Sequence, residues 1–489
     1  MEFEPVIGLE VHVQLRTSSK MFCSCASDYQ TAEPNTRVCP VCLALPGALP
    51  VINRRAVEFA IMTGLALNCR VARITKFDRK NYAYPDLMKG YQISQYDVPI
   101  CEDGWIELPP ADAQAQAHRV RIKRVHMEED VARLMHVGGA EGYTLMDINR
   151  AGVPLIEVVS EPDLESPAQA EAYITQLQST IRYLGVSTAN MEEGSFRCDA
   201  NVSLRPRGTR GLGTKVEVKN MNRVRAVGRA LEYEIERQTQ VLSKGGRIEQ
   251  ETRGWVDDRE VTVSQRSKEE AHDYRYFPEP DLPPLEIDPA WVEGLTASLP
   301  ELAPARRSRL MSDYGLSEYD AALITAVRST ADYFEAVVGA RPAGAEAAAF
   351  AKEAANWING EFARLAAARN GEGPAVTPEN MASLVAMFQA RTISNAAAKQ
   401  VLAEMFQTGK GAAAIVEEKG LKKVTDVGSL EPAVDQAIAA NPGAVDDYLK
   451  GKETAVRFLV GQVMRASKGR ADPVRAAELI SEKLNARKS

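Results

Sequence analysis

The sequence predicts an α+β protein, with a mixed or antiparallel sheet early in the chain and helices alone after it. Three observations predict this. Strict two-residue alternation recurs in segments such as VIGLEVHVQL, FRCDANVSLRP and TKVEVKN, all within the first 220 residues. A proline-dense stretch, Tyr276 to Pro289, then suits neither regular structure. Beyond it alanine becomes frequent and helix starts recur. At 489 residues the chain exceeds what one core can organise, and about three domains are expected.

In the first strand Ile7, Leu9, Val11, Val13 and Leu15 share one face, while Gly8, Glu10, His12 and Gln14 share the other. VHMEED sets His126, Glu128 and Asp130 on one parity and Glu129 on the other. A helix is expected from Ser166, an N-cap followed by Pro167 and the capping-box residue Gln169; Ile174, Leu177, Ile181 and Leu184 form its apolar stripe, and Gly185 ends it. FRCDANVSLRP alternates Cys198, Ala200, Val202 and Leu204 with Arg197, Asp199, Asn201, Ser203 and Arg205. In TKVEVKN, Val216 and Val218 oppose Lys215, Glu217 and Lys219. A charged helix follows from about Arg223 to Ser243. In the helical region Thr377-Pro-Glu and Ser394-Asn-Ala are capped starts, and Met381, Leu384, Val385 and Phe388 form a 3.6-residue stripe. A glycine-containing break from Thr408 to Gly411 divides that region, leaving a small helical module to Ser489.

Sheets built from these strands have one apolar face and one crowded with carboxylates, amides, imidazoles and cations. A solvated sheet face is the ordinary reading of one such strand. Repetition over four segments points instead to a metal–nucleotide site. Glu10, His12, Glu128, Glu129, Asp199 and Asn201 offer hard oxygen donors and an imidazole, which suit Mg²⁺ bound to phosphate oxygens. Lys80, Arg150, Lys215 and Lys219 are candidate partners for phosphate charge, or else surface ion-pair residues.

Cys23, Cys25, Cys39 and Cys42 have the spacing of a closed, structural zinc site, the alternative being reduced, buried thiols. Cys69, Cys101 and Cys198 are expected to be packing residues. The acidic amino terminus has no signal-peptide pattern and no apolar run approaches a membrane span, so a cytoplasmic location is expected. Net charge is −7, yet residues 448 to 489 hold ten Lys or Arg against four acids. A basic terminal module suits a polyanion, unless these cations are simply solvated helix faces. GTRGLGTK, residues 208 to 215, reverses the Lys and Thr of a Walker A loop and reads as a glycine-rich hairpin. No G-x-S-x-G and no glycine- and serine-rich amidase signature is present.

IGLEVHVQL, FDRKNYAYPDLMKGYQISQYD, HMEEDVARLMH, NRAGVPLIEVVSEPD, GSFRCDANVSLRP, KVEVKNMN, EEAHDYRYFPEPDLPPL and FLVGQVMRASKGRADP occur in this order. Together they resemble the GatB family, the B subunits of the aspartyl/glutamyl-tRNA amidotransferase. The resemblance runs from Val6 almost to the C-terminus. It implies a kinase-like cradle domain, expected over residues 1–293, a helical domain over 294–407 and a YqeY-like, tRNA-binding tail over 408–489.

It further implies ATP- and Mg²⁺-dependent phosphorylation of the side-chain carboxylate of glutamate or aspartate misattached to tRNA(Gln) or tRNA(Asn). Ammonia from a glutaminase A subunit then gives the amide, and a small C subunit completes the GatCAB heterotrimer. The missing amidase signature fits that division of labour. By this resemblance Glu10, His12, Glu128 and Glu129 belong to the catalytic centre, and Lys80, as a cation for phosphate charge, is expected beside them. Asp199 and Asn201 join the magnesium set, and Asn149, Arg150, Lys215 and Lys219 the nucleotide contacts. After HMEED the family usually continues Ala-Gly-Lys where this chain has Val131-Ala-Arg133, so Arg133 is a candidate replacement for the lysine. The four cysteines occur in only some members of the family. Two other classes compete: a non-catalytic, zinc-stabilised tRNA-binding or chaperone subunit, which needs no aligned acids, and a stand-alone carboxylate–amine ligase, which needs no tail.

Overall fold

The computed structural model describes residues 2–109, 117–138, 142–267, 274–369, 375–423, 427–467 and 471–487. The chain divides into two compact units, residues 1–302 and 303–489. Among the described residues no helix is long and apolar enough to cross a membrane.

The first unit is built on a nine-stranded sheet: β1 (Phe3–Gln14), β2 (Arg70–Val71), β3 (Cys101–Leu108), β4 (His118–Glu129), β5 (Pro154–Ser160), β6 (Phe196–Pro206), β7 (Val216–Met221), β8 (Glu251–Val256) and β9 (Val261–Ser267). Their order in space is β9-β8-β7-β6-β1-β5-β4-β3-β2. Every neighbouring pair is antiparallel except β7 and β8. Three helices, α1 (Arg54–Ala66), α2 (Pro167–Leu184) and α3 (Val224–Ser243), supply the other half of the core. Ile7, Leu9, Val11 and Val13 of β1 are buried with Ile61, Ile174, Leu177, Ile181, Val227 and Leu231. Each such side chain contributes roughly 1.5–3 kcal/mol when buried, which fixes the register of β1: a one-residue slip would put Glu10 and His12 into this layer.

The helix signals act as read. The Ser166 hydroxyl accepts from Gln169 N at 3.2 Å, the Gln169 side chain accepts from Glu165 N at 2.7 Å, and Gly185 closes α2 in the left-handed region at φ 71°. The glycine-rich segment 208 to 215 lies between β6 and β7. The proline-rich stretch is more ordered than expected. Phe277–Pro278 and Leu285–Glu286 are two-residue strands that pair with Asp78–Arg79 and Ile74–Thr75. Helix α4 (Pro289–Ser298) follows, and its Trp291, Val292 and Leu295 pack on the first core.

The second unit is all helical and holds two cores, one running from Leu310 to Val416 and one from Leu430 to Leu484. Thr377 and Ser394 cap their helices as expected, and Met381, Leu384 and Val385 are buried in the first of these cores. Gly409, at φ 71°, ends the helix Asn395–Thr408.

Candidate functional site

The polar face of the sheet is assembled by register. Across β6, β1, β5 and β4 the paired residues run Arg197, His12, Glu157, His126. In the next row Asp199 stands opposite Glu10. His12 Nε2 lies 3.5 Å from Glu157 Oε2, and His126 Nε2 lies 3.2 Å from the same oxygen and 3.4 Å from Glu128 Oε1. Ligand atoms of His12, Glu128 and Glu157 all fall within 4.8 Å of one another, a fit for one hard cation. A short hairpin, Asp78–Asn81 with Tyr91–Ser94, brings further groups over β4. Ser94 Oγ donates to Glu128 Oε1 at 2.7 Å and Gln92 Nε2 to Glu128 Oε2 at 3.3 Å.

Burial penalises every charge here, and neighbours decide the outcome. For Glu128, burial is outweighed by Lys80 and His126, which hold its carboxyl down to about 2. Glu157 is likewise held well below the usual carboxylate range, chiefly by the two histidines. His126 loses to burial but gains more from Glu157 and Glu128, which push it up to about 9. Lys80 is raised in spite of its burial, because Glu128, Tyr276 and Glu157 surround it. Its ammonium sits 5.8 Å from the Tyr82 ring centroid and 5.3 Å from that of Tyr274. Glu10 moves the other way, raised by burial and by the acids Glu157, Glu217 and Asp199.

A cavity of about 720 Å³ opens on this face, lined by His12, Lys80, Glu128, Asp130, Arg133, Arg150, Arg197, Asp199 and Lys219 among others. Lys219 Nζ donates to Asp199 Oδ2 at 2.5 Å and lies 3.4 Å from Glu217. Asp130 accepts from Gln14 Nε2 at 2.6 Å and from Arg197 at 3.1 Å. Arg133 lines the cavity as well.

The expected site residues are therefore partly dispersed. His12, Lys80, Glu128, Arg150, Asp199 and Lys219 share the large cavity. Glu10 and Asn201, joined by a 3.0 Å hydrogen bond, line a neighbouring cavity of about 360 Å³ with Lys215. Glu129 points to the opposite side of β4, where it pairs with Lys89 and accepts from Ile93 N at 2.9 Å. It borders a smaller cavity of about 230 Å³ beside the cysteines. Asn149 is fully buried, its amide engaged by the backbone of Glu33 and Arg37. Sequence reasoning assigned no role to Glu157. Its signal is a lone acid within the otherwise apolar run PLIEVVS.

The four cysteine sulfurs also converge within 4.8 Å, with Cys25–Cys42 at 3.9 Å and Cys39–Cys42 at 3.7 Å. A tetrahedral zinc with bonds of about 2.3 Å separates its sulfurs by about 3.8 Å, so this donor set fits. Hydrogen bonding from Cys23, more than any other cause, holds the Cys42 thiol down to about 4. Cys69, Cys101 and Cys198 are buried away from the cluster.

Fold and cavity thus define a multidomain α+β protein that gathers acids, imidazoles and cations on one sheet face and continues into helical modules. Comparison with known proteins gives the family. The profile of the GatB/GatE catalytic domain matches residues 5–293, and that of the GatB domain matches 332–484. A Moorella thermoacetica protein is 56% identical over 488 residues, covering 99% of this chain and 100% of its own length. Proteins of Dehalococcoides mccartyi strain CBDB1 and Thermomicrobium roseum are each 53% identical over 490 residues, covering 99% of both chains. All three are named as the B subunit of aspartyl/glutamyl-tRNA(Asn/Gln) amidotransferase. The chain belongs to this GatB family.

Proposed function

We propose that this subunit activates the side-chain carboxylate of Glu-tRNA(Gln), Asp-tRNA(Asn) or both by ATP-dependent phosphorylation, so that ammonia can replace phosphate and leave the amide. The overall reaction is that of a carbon–nitrogen ligase with glutamine as amide donor. Glutamine is hydrolysed by a glutaminase A subunit, and a small C subunit completes the heterotrimer. The observation that carries this reading is the convergence of His12, Glu128 and Glu157 beside Lys80 in one recessed polar cavity.

Carboxylates need activation because hydroxide is a poor leaving group, whereas phosphate departs readily. Phosphoryl transfer asks mainly for positioning and charge neutralisation. Mg²⁺, when bound, supplies neutralisation of the phosphate oxygens. His12, Glu128 and Glu157 would hold it, and Glu10, Asp199 and Asn201 continue the polar face beside them. His126 locks the two acids in place through its bonds to both. Lys80, Lys219, Arg150 and Arg133 line the cavity with cations. Recession of the cavity protects an activated carboxylate from water. The four cysteines would hold a structural zinc, and the basic tail would bind tRNA.

His12→Ala removes a ligand without touching the apolar layer, and loss of such a group often costs ~100-fold or more in rate. The assembled complex is expected to keep glutamine hydrolysis but lose ATP-dependent amidation, even with ammonia supplied directly. Rescue by added ammonia would instead assign His12 to ammonia delivery, and a normal rate would make the polar face merely the wet side of a sheet.

A further inference from the structure

The cysteine loop and the cavity wall are fastened to the same short turn. Between Cys23 and Val41 no residue is buried, so this loop has no apolar core of its own. Polar contacts to Asp147–Arg150 hold it instead. Asn149 Oδ1 accepts from Arg37 N at 2.7 Å and Asn149 Nδ2 donates to Glu33 O at 2.8 Å. Asp147 Oδ1 accepts from Asn35 N at 3.1 Å, and Asn35 Oδ1 accepts from Ile148 N at 2.8 Å. Lys20, which is 0% exposed, donates from Nζ to Arg37 O at 2.8 Å and to Ile148 O at 3.4 Å, while its backbone N donates to Cys25 O at 2.9 Å.

On its far side the same turn grips the cavity. Arg150 donates to Val131 O at 2.9 Å and to Ala132 O at 3.0 Å. Gly152 N donates to Asp130 O at 2.9 Å, and Asp130 N donates to Val153 O at 2.8 Å. Asp130, Val131 and Arg150 line the large cavity. Neither Asn149 nor Lys20 lines it.

We infer that Asn149 is a positioning residue that couples the four-cysteine centre to the Asp130–Val131 wall of the cavity, with Lys20 as its second fastening. The chain of contacts has no slack. A displaced Arg37 breaks bonds to both Asn149 and Lys20, the turn then keeps only its contacts to Glu33 and Asn35 on the loop, and Arg150 and Gly152 carry the change to Asp130. Groups that orient metal ligands from outside the coordination shell commonly affect metal affinity by 10–100-fold, and Asn149 acts on the loop that spaces Cys25 from Cys39.

The proposal rests on the four cysteines holding zinc, and its bearing on the reaction rests on the cavity being the reaction site. The test uses the full chain in its complex and two variants, Asn149→Ala and Asn149→Asp, the latter keeping the acceptor for Arg37 N but losing the donor to Glu33 O. Zinc release to a chromogenic chelator is expected to be about tenfold or more faster in Asn149→Ala and intermediate in Asn149→Asp. Hydrogen exchange in the peptide containing Asp130 and Val131 is expected to rise in both variants while still loaded with zinc, and in the wild type after zinc is stripped. A peptide from the apolar side of the sheet, such as one within α2, should be unchanged.

Unaltered exchange at Asp130–Val131 in Asn149→Ala overturns the coupling, as does zinc release at the wild-type rate. A purified complex that neither carries nor takes up zinc overturns the role of the metal. These readouts do not depend on turnover, so failure of the catalytic reading would show separately, as full amidation by a complex carrying His12→Ala.

Discussion

Glu157 shows what a single residue contributes when it sits between two imidazoles. The residue is 7% exposed, and its carboxylate faces His12 and His126, which together with Lys80 overcome the burial penalty and keep it ionised. Glu157→Gln preserves shape and removes the charge. Carboxylate activation by the complex is expected to fall by about 100-fold or more, with assembly and circular dichroism unchanged; a rate within a few-fold of wild type would exclude Glu157 from the chemistry. Glu10, His12 and Glu128 were legible because alternation exposes an expensive residue on a known face. Glu157 was not, because PLIEVVS is apolar enough to read as a strand buried on both sides. Asn149 carries the same chemical groups as site residues, and only the turn at Asp147–Arg150 decides where it points, whereas strand alternation already turned Glu129 away from Glu128. Contacts spanning 112 residues, as between Arg37 and Asn149, leave no local mark in a sequence.

Elements, in contrast, were set by local rules wherever caps and stripes were strong. Helix α2, with its serine cap and left-handed glycine, is a case in which every local preference agrees with the fold. The paired dipeptides of the proline-rich stretch leave no local mark because their partners lie about 200 residues earlier, near Ile74 and Asp78. Glycines inside helices divide the same way. A Cβ on Gly64 of α1 would meet Cys101 Sγ at 2.2 Å, whereas one on Gly294 of α4 meets nothing within 4 Å. Gly64→Ala is therefore expected to destabilise the first unit by about 1–3 kcal/mol through overpacking, and Gly294→Ala to stabilise it by roughly 0.5–1 kcal/mol through helix propensity. Denaturant unfolding of both variants checks this, and the same sign for the two would refute it.

The helix Pro473–Asn485 is held by its Asp472 cap, which accepts from Val474 N at 2.9 Å and Arg475 N at 3.1 Å. The Arg475 bond is the largest of the causes that hold this carboxyl below its usual range. Asp472→Ala is expected to cost about 1 kcal/mol. Because the folded carboxyl is depressed, its contribution is complete above an unfolded pKa of about 3.9 and is lost as pH falls through the folded value. The difference between wild type and Asp472→Ala should hence be constant near neutrality and shrink below about pH 4. A difference that grew on acidification would contradict the sign.

At the scale of the whole molecule, charge is segregated along the chain. Ten Lys or Arg against four acids after residue 447, on a chain of net charge −7, place the basic character at one end. Composition made that legible. Where the tail can be cut was less legible, since the sequence break at Thr408–Gly411 precedes Ala412, Ile415 and Val416, which are buried with Leu402 and Met405. Lys423 N also donates to Thr392 O at 2.7 Å. A chain ending at Lys423 keeps these contacts and removes the third core with its cations, whereas one ending at Thr408 strips apolar cover from the second. The chain ending at Lys423 is thus expected to unfold at the temperature of the intact helical region, and the one ending at Thr408 at a lower temperature. In complex, the protein ending at Lys423 should retain ATP-dependent activation at saturating tRNA but bind tRNA more weakly. With fewer phosphates neutralised, fewer counterions are released on binding, so the slope of log affinity against log salt should become shallower by an amount set by how many phosphates the tail neutralises. Measured between about 50 and 200 mM salt, equal affinity and equal slope for the truncated and full-length complexes would show that these cations serve only to solvate the last helices.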